Sequence, residues 1–233
     1  MQNTTKVGKR CFLKIEIIVL ILVICLFAVK SATIDIASAK ACVLKQVVKV
    51  APDSVNVHRF LGDYYANSDR FEKAIQRYKD VIRIQPNHFE AYFGMGVCYY
   101  DLGDYQKAEE NFLKAINEAP NCYDAYISLG DVYRIINEPE KAIEPFKKAV
   151  ELNQDHGYAL LALGLTYYEL GKYDSAIDAY READKMTPDV AGIQILIAKC
   201  YDKLGKYQER TESLELAKSI NPNIENTVKQ AYR

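Results

Sequence analysis

Apolar and polar positions alternate along this chain on a helical period that is itself repeated. In residues 89–122, Tyr92, Met95, Gly96 and Tyr99 fall on one helical face by spacings of three, one and three. After Gly103 and Asp104, a second face is written by Ala108, Phe112, Ala115 and Ile116. The interruption reads as a stop and a start, the glycine supplying a left-handed C-cap and the aspartate the next N-cap. The whole skeleton recurs every 34 residues from Val55 to Ile224 without insertion or deletion. Small residues return at Gly62, Gly96, Gly130, Gly164 and Ala198, and tyrosines three places later at Tyr65, Tyr99, Tyr133, Tyr167 and Tyr201. Such a period marks stacked repeats, in which one helix–turn–helix unit cannot bury its apolar face alone. The pattern therefore predicts an all-α chain, with five antiparallel helix pairs over residues 55–222.

The positions between the pairs refine this picture. Asp53, Asn87, Asn121, Asp155, Asp189 and Asn223 keep the same step, and as good helix starters they are expected to open each new helix. Asn87 with Glu90 has the spacing of a capping-box variant. His58, in the first bulky place of unit one, is expected to be a partly buried structural histidine. Gln154 stands where the other units carry proline, which predicts a looser turn, and Pro145 predicts a kink in the second helix of unit three. Arg210 and Leu214 replace a small and an aromatic residue in unit five, as in an atypical terminal repeat. Residues 223–233 begin a C-terminal capping helix. At the other end, residues 31–53 close on ACVLKQVVKVAP, with Leu44, Val47 and Val48 at helical spacing and Pro52 one period before Pro86. They read as a half-unit that caps the stack.

Upstream lies a different composition. Residues 17–29, IIVLILVICLFAV, carry no charge, and with residues 11–16 the mostly apolar stretch reaches nineteen. This suits either a cleaved secretory signal or an uncleaved signal anchor. The candidate cleavage sites Val29-Lys30-Ser31, Ala37-Ser38-Ala39 and Ala39-Lys40-Ala41 are poor, because of a lysine or their distance from the apolar run. An anchor over residues 15–30 is therefore preferred, with residues 1–14 as a cytoplasmic tail carrying Lys6, Lys9, Arg10 and Lys14. That topology makes a single-pass membrane protein with extracytoplasmic repeats. Cleavage would instead release a secreted periplasmic chaperone or adaptor.

Charge and candidate chemistry narrow the function. The chain has 30 Lys and Arg against 31 Asp and Glu. Without its basic first 30 residues it is mildly acidic, which argues against a nucleic-acid partner. The six cysteines, at 11, 25, 42, 98, 122 and 200, show no CxxC spacing and read as reduced small hydrophobes. Cys98 and Cys200 lie three repeats apart, too far for a disulfide. His58, His88 and His156 fit no metal, phosphate-loop or nucleophile motif, so no catalytic residue, metal site or cofactor is assigned and the chain reads as a non-enzyme.

Tyr92, Met95-Gly96, Tyr99, Ala108, Phe112, Ala115 and Pro120 in unit two, and Leu160, Leu163-Gly164, Tyr167, Ala176, Tyr180, Ala183 and Pro188 in unit four, resemble the tetratricopeptide repeat pattern at its own spacing. The resemblance implies a right-handed α-solenoid of five units, with the N-terminal half-unit and the C-terminal capping helix at its ends. It also implies that a stripe one helical step from each buried first-helix face lines a concave, peptide-holding groove. In this chain the stripe comprises Arg59; Phe93, Val97 and Tyr100; Ile127, Asp131 and Arg134; Leu161, Leu165 and Tyr168; and Ile195 and Lys199. It is apolar in units two and four and more charged in the others. In the places of the family's chaperone-tail clamp the first two units hold Arg59, Asp63, Phe93 and Val97, and the clamp asparagines are missing. The expectation is a membrane-anchored scaffold that binds an apolar or amphipathic polypeptide, with self-association through the stripe or the end helices as a further reading.

Overall fold

The computed structural model describes residues 43–49, 51–153, 157–186 and 190–224. The N-terminal apolar segment, Gln154, Asp155, His156, Pro188, Asp189 and the expected capping helix beyond Ile224 lie outside the described residues. Helix α1 covers residues 43–49. It is followed by α2 (Val55–Ala66), α3 (Phe71–Ile84), α4 (Phe89–Asp101), α5 (Tyr105–Glu118), α6 (Tyr123–Ile135), α7 (Pro139–Leu152), α8 (Gly157–Glu169), α9 (Tyr173–Met186), α10 (Ala191–Lys203) and α11 (Tyr207–Ile220). No strand occurs among the described residues. The architecture is an all-α solenoid class of consecutive helix pairs, and the chain divides between Glu118 and Ala119 into two compact units.

The turn inside each pair is built the same way. Asp69, Gly103, Asn137, Gly171 and Gly205, all one period apart, take positive φ angles of 55°, 77°, 62°, 72° and 71°. The next residue's N–H then reaches back to the carbonyl of the periodic tyrosine. Arg70 bonds Tyr65, Asp104 bonds Tyr99, Glu138 bonds Tyr133, Lys172 bonds Tyr167 and Lys206 bonds Tyr201, at 2.8–2.9 Å. This is the Schellman closure, which satisfies a helix-end carbonyl. Asp104 also takes the expected N-cap role, its Oδ1 accepting from the Lys107 N–H at 3.2 Å.

The turns between pairs are closed differently from expectation. The residues that flank the starts of α2, α4 and α6 are Ser54, His88 and Cys122, and none donates or accepts a side-chain cap. Asp53, Asn87 and Asn121 sit one position earlier, in the turn. Glu90 does not complete a capping box; its carboxylate lies 3.1 Å from His88 Nδ1. What ties these turns is the preceding proline's carbonyl. His58 Nε2 bonds Pro52 O at 2.8 Å, Tyr92 Oη donates to Pro86 O at 3.0 Å, and Tyr126 Oη to Pro120 O at 3.3 Å. The donor always stands six residues after the proline. In the fourth pair that place is Leu160, which has no donor, and the proline's place is Gln154. His58 is accordingly buried to 3% exposure, more deeply than expected.

In the N-terminal unit the core gathers Ala74, Ile75, Tyr78, Val81, Ala91, Met95 and Cys98. In the C-terminal unit one cluster forms around Ala142, Phe146, Ala162 and Leu163, and another around Leu160, Ile177, Tyr180, Ile193 and Ile197. The periodic glycines exist for these aromatics. A Cβ on Gly62, Gly96, Gly130 or Gly164 would lie 2.5–2.6 Å from the ring of Tyr78, Phe112, Phe146 or Tyr180 respectively. Tyr92 and Tyr99, expected in the core, are only half-buried, since their phenol ends turn toward the turns and the gaps between second helices. Pro145 is buried, and α7 runs unbroken through it from Pro139 to Leu152.

Candidate interaction surface

The first helices of the C-terminal unit, α6, α8 and α10, carry most of the stripe read from the sequence. Leu161, Leu165 and Tyr168 on α8 are half-buried and pack on the cluster of Leu160, Ile177, Tyr180, Ile193 and Ile197. The Tyr168 ring meets Tyr173 edge-on, with centroids 5.4 Å apart. Ile127 on α6 is likewise half-buried, against Ala142, Phe146 and Leu163. These side chains keep one flank in the protein and one in solvent. The neighbour-packing role explains their inner atoms and leaves the outer ones open.

Polar groups stitch α6 to α8 along this row. The Arg134 guanidinium donates twice to the Glu169 carboxylate, at 3.2 Å from Nε and 2.5 Å from an amino nitrogen. Such a bidentate pair is planar and directional. It raises the Arg134 pKa above the ordinary arginine value. Tyr158 Oη donates to Asp131 Oδ2 at 3.1 Å. Burial pushes the Asp131 carboxyl above the usual carboxylate value, against the opposing pull of Tyr158 and Arg134. Lys199 on α10 is half-buried and makes no ion pair among the described residues.

Ile195 does not join this surface. It is 5% exposed and packs with Ala191, Ala217 and Ile224. Helix α10 belongs to the last complete pair, and α11 with the chain beyond it covers a face that Ile195 would otherwise present. Sequence reasoning missed Tyr158 and Glu169. Both are cross-helix partners at separations of 27 and 35 residues, close to but not at the repeat step, so the periodic alignment hides them.

In the N-terminal unit the same stripe is more fully used by the protein itself. Arg59 pairs with Asp63 at 3.0 Å and lies over the Phe60 ring at 4.5 Å. Asp63 also accepts from Tyr78 Oη at 2.9 Å. Phe93 packs on Phe112, centroids 5.8 Å apart, and Tyr100 meets Tyr105 edge-on at the same distance. Val97 is half-buried between them in sequence.

Burial pushes the thiols of Cys98 and Cys200 up to about 12, so both remain protonated and unreactive at neutral pH. No group of His, Cys, Asp and Glu side chains among the described residues could hold a metal ion.

Asp131 gives the surface a testable pH signature. A carboxyl whose folded pKa lies above its unfolded one favours the folded state while it is protonated. That contribution is present below the ordinary carboxylate range and is lost as pH rises through the raised value. Asp131→Asn keeps an acceptor for Tyr158 and removes the titration. Urea denaturation from about pH 4 to about pH 7 is expected to show a smaller loss of stability with rising pH in the variant than in the parent.

Comparison with known proteins agrees with this geometry. The family model described as Tetratricopeptide repeat matches residues 53–117 and 88–155. The model for Anaphase-promoting complex, cyclosome, subunit 3 matches residues 140–217. A crystal structure of MamA protein is 27% identical, covering 73% of this chain and 93% of that one, with a TM-score of 0.69. The structure titled YrrB, a TPR protein with an unusual peptide-binding site, is 20% identical over 81% of this chain and 97% of that one, TM-score 0.71. MamA from Desulfovibrio magneticus RS-1 is 20% identical over 73% and 97%, TM-score 0.66. At these last two identities the likeness speaks for the fold. No curated protein matches the sequence. The helix-pair geometry, the family matches and the solved neighbours together support reading this chain as one built of tetratricopeptide repeats.

Proposed function

We propose that this protein is a non-enzymatic interaction scaffold, held at a membrane by residues 15–30, whose C-terminal unit binds an amphipathic polypeptide segment on the face formed by α6, α8 and α10. The observation that carries the reading is the half-buried row Leu161, Leu165 and Tyr168 running beside the fixed Arg134–Glu169 pair. An apolar strip next to an oriented charge pair suits a segment that is apolar on one edge and polar on the other. YrrB, of the same fold, is described as having an unusual peptide-binding site, which supports a polypeptide as the ligand class. Fully burying one such apolar side chain contributes roughly 1.5–3 kcal/mol. Three partly exposed anchors, less the ordering costs of association, correspond to a complex in the roughly micromolar range.

The test is crosslinking of the full chain in native membranes, comparing the parent with Leu161→Gln/Leu165→Gln. Glutamine is chosen because both positions touch the core, where a charge would also unfold the helix. The variant is expected to lose its crosslinked partners while circular dichroism and the thermal midpoint stay near the parent's. Undiminished crosslinking by a folded variant would refute the face. Among the described residues no helix is long and apolar enough to cross a membrane, so the anchor rests on the sequence of residues 15–30. The mass of the mature chain tests it separately: loss of the first 31 to 41 residues would replace the anchor with a secreted chaperone or adaptor.

A further inference from the structure

The second helices of the N-terminal unit leave two open slots at repeat-related positions. The first, about 330 Å³, lies between α1 and α3 over α2, and is lined by Lys45, Val48, Leu61, Tyr65 and Lys73 among others. The second, about 310 Å³, lies between α3 and α5 over α4, and is lined by Lys79, Ile82, Met95, Tyr99 and Lys107 among others. These five residues of the second stand 34 positions after the five of the first, and at a sixth shared place Gln76 is replaced by Glu110, whose carboxylate pairs with Lys114 at 2.6 Å. Each slot thus has a lysine on either wall, an apolar floor and a periodic tyrosine between them.

Three of the four lysines have no carboxylate partner among the described residues. Lys45 Nζ lies 5.4 Å from the Tyr65 ring centroid and Lys107 Nζ 5.3 Å from that of Tyr99. All four lysines are exposed. Lys107 pairs with Asp104, whereas Lys45, Lys73 and Lys79 have no ion pair among the described residues. Two ammonium groups lining one slot repel, and an anion between them relieves that repulsion. One period after Lys79 stands Leu113, so the paired-lysine arrangement ends after two copies.

We propose that these two slots bind an acidic polypeptide segment, with one carboxylate side chain seated between the lysines of each slot and apolar neighbours resting on the tyrosine floor. The carboxylates accept charge-assisted hydrogen bonds from the lysines. The apolar floors, Val48 with Leu61 and Ile82 with Met95, receive aliphatic side chains rather than a flat layer of headgroups. This surface differs in unit, in helices and in charge from the α6–α8–α10 face.

The probe is a fluorescein-labelled peptide of alternating Glu and Leu, compared with its Gln-Leu counterpart by fluorescence anisotropy on the full chain in detergent. Tighter binding of the Glu peptide by about tenfold, weakening as salt rises, is expected. Lys73→Gln/Lys79→Gln, two exposed changes that leave the core untouched, should remove most of that preference. Leu161→Gln/Leu165→Gln should leave it intact, which separates this inference from the function proposed above. Equal affinity for the two peptides, or an unchanged preference in the lysine variant, would overturn the assignment. So would lysine-dependent sedimentation with phosphatidylserine vesicles without peptide discrimination, which would give the slots to a membrane surface.

Discussion

Gly96→Ala is expected to destabilise the protein by about 3 kcal/mol, the upper end of what overpacking a close-packed core costs. The added methyl would lie 2.6 Å from two ring carbons of Phe112, and Phe112 is 1% exposed with Ala108 and Ala115 fully buried on its own helix. The ring has nowhere to go without parting α4 from α5. Urea denaturation measures the loss, and Phe112→Leu in the same chain should recover part of it, because the smaller side chain yields to the methyl. The double-mutant cycle isolates that coupling. Gly192→Ala is the matched control. It is an exposed helical glycine on α10 whose Cβ would meet only Val190, at 3.9 Å, so the better helix propensity of alanine stabilises it by up to about 1 kcal/mol. Equal losses at positions 96 and 192 would refute the close-approach account.

Opposite signs are expected for Tyr78→Phe and Tyr180→Phe, although the two tyrosines occupy the same place in their repeats. Tyr78 Oη donates to Asp63 at 2.9 Å, and its removal takes a bond from a charged acceptor, costing about 1.5 kcal/mol or more. Tyr180 is fully buried and its hydroxyl meets no partner among the described residues. Burial raises the pKa of both phenols, so each stays a neutral donor. Replacing Tyr180 by the phenylalanine that units two and three already carry at this place removes a desolvated donor and should raise stability by about 1 kcal/mol. Denaturation midpoints of the two single variants decide the matter, and a loss at Tyr180 as large as that at Tyr78 would mean its hydroxyl is satisfied.

The difference between these two tyrosines shows what the sequence could and could not disclose. The period locates every helix pair and every ring that faces a glycine, because those contacts recur at the repeat step. Asp63 finding Tyr78 within one pair, while Tyr180 finds no partner among the described residues, depends on the residue at Asp63's place, which in the fourth pair is Leu165. The turns divide in the same way. Gly103 and Asp104 behave as read, since glycine's left-handed freedom and aspartate's cap are local properties. Asp53, Asn87 and Asn121 do not cap, because the donors that hold their turns come from His58, Tyr92 and Tyr126 inside the following helix. For the candidate site, Leu161, Leu165 and Arg134 were legible from their spacing. Glu169, Tyr158 and the burial of Ile195 were not, as each is fixed by a neighbour outside the repeat register.

Among the described glycines, two press on a single ring. Gly62 on α2 and Gly94 on α4 both lie against Tyr78, and a methyl on either would come within 2.6 Å of it. Unit one therefore presses a single flat side chain between the backbones of its own first helix and of the next. Neither helix can turn about its axis without pushing that plane into the other. The N-terminal end of the stack thus contains a rotational interlock of three helices, which fixes the phase of the slots on one side and of the Arg59–Asp63 pair on the other.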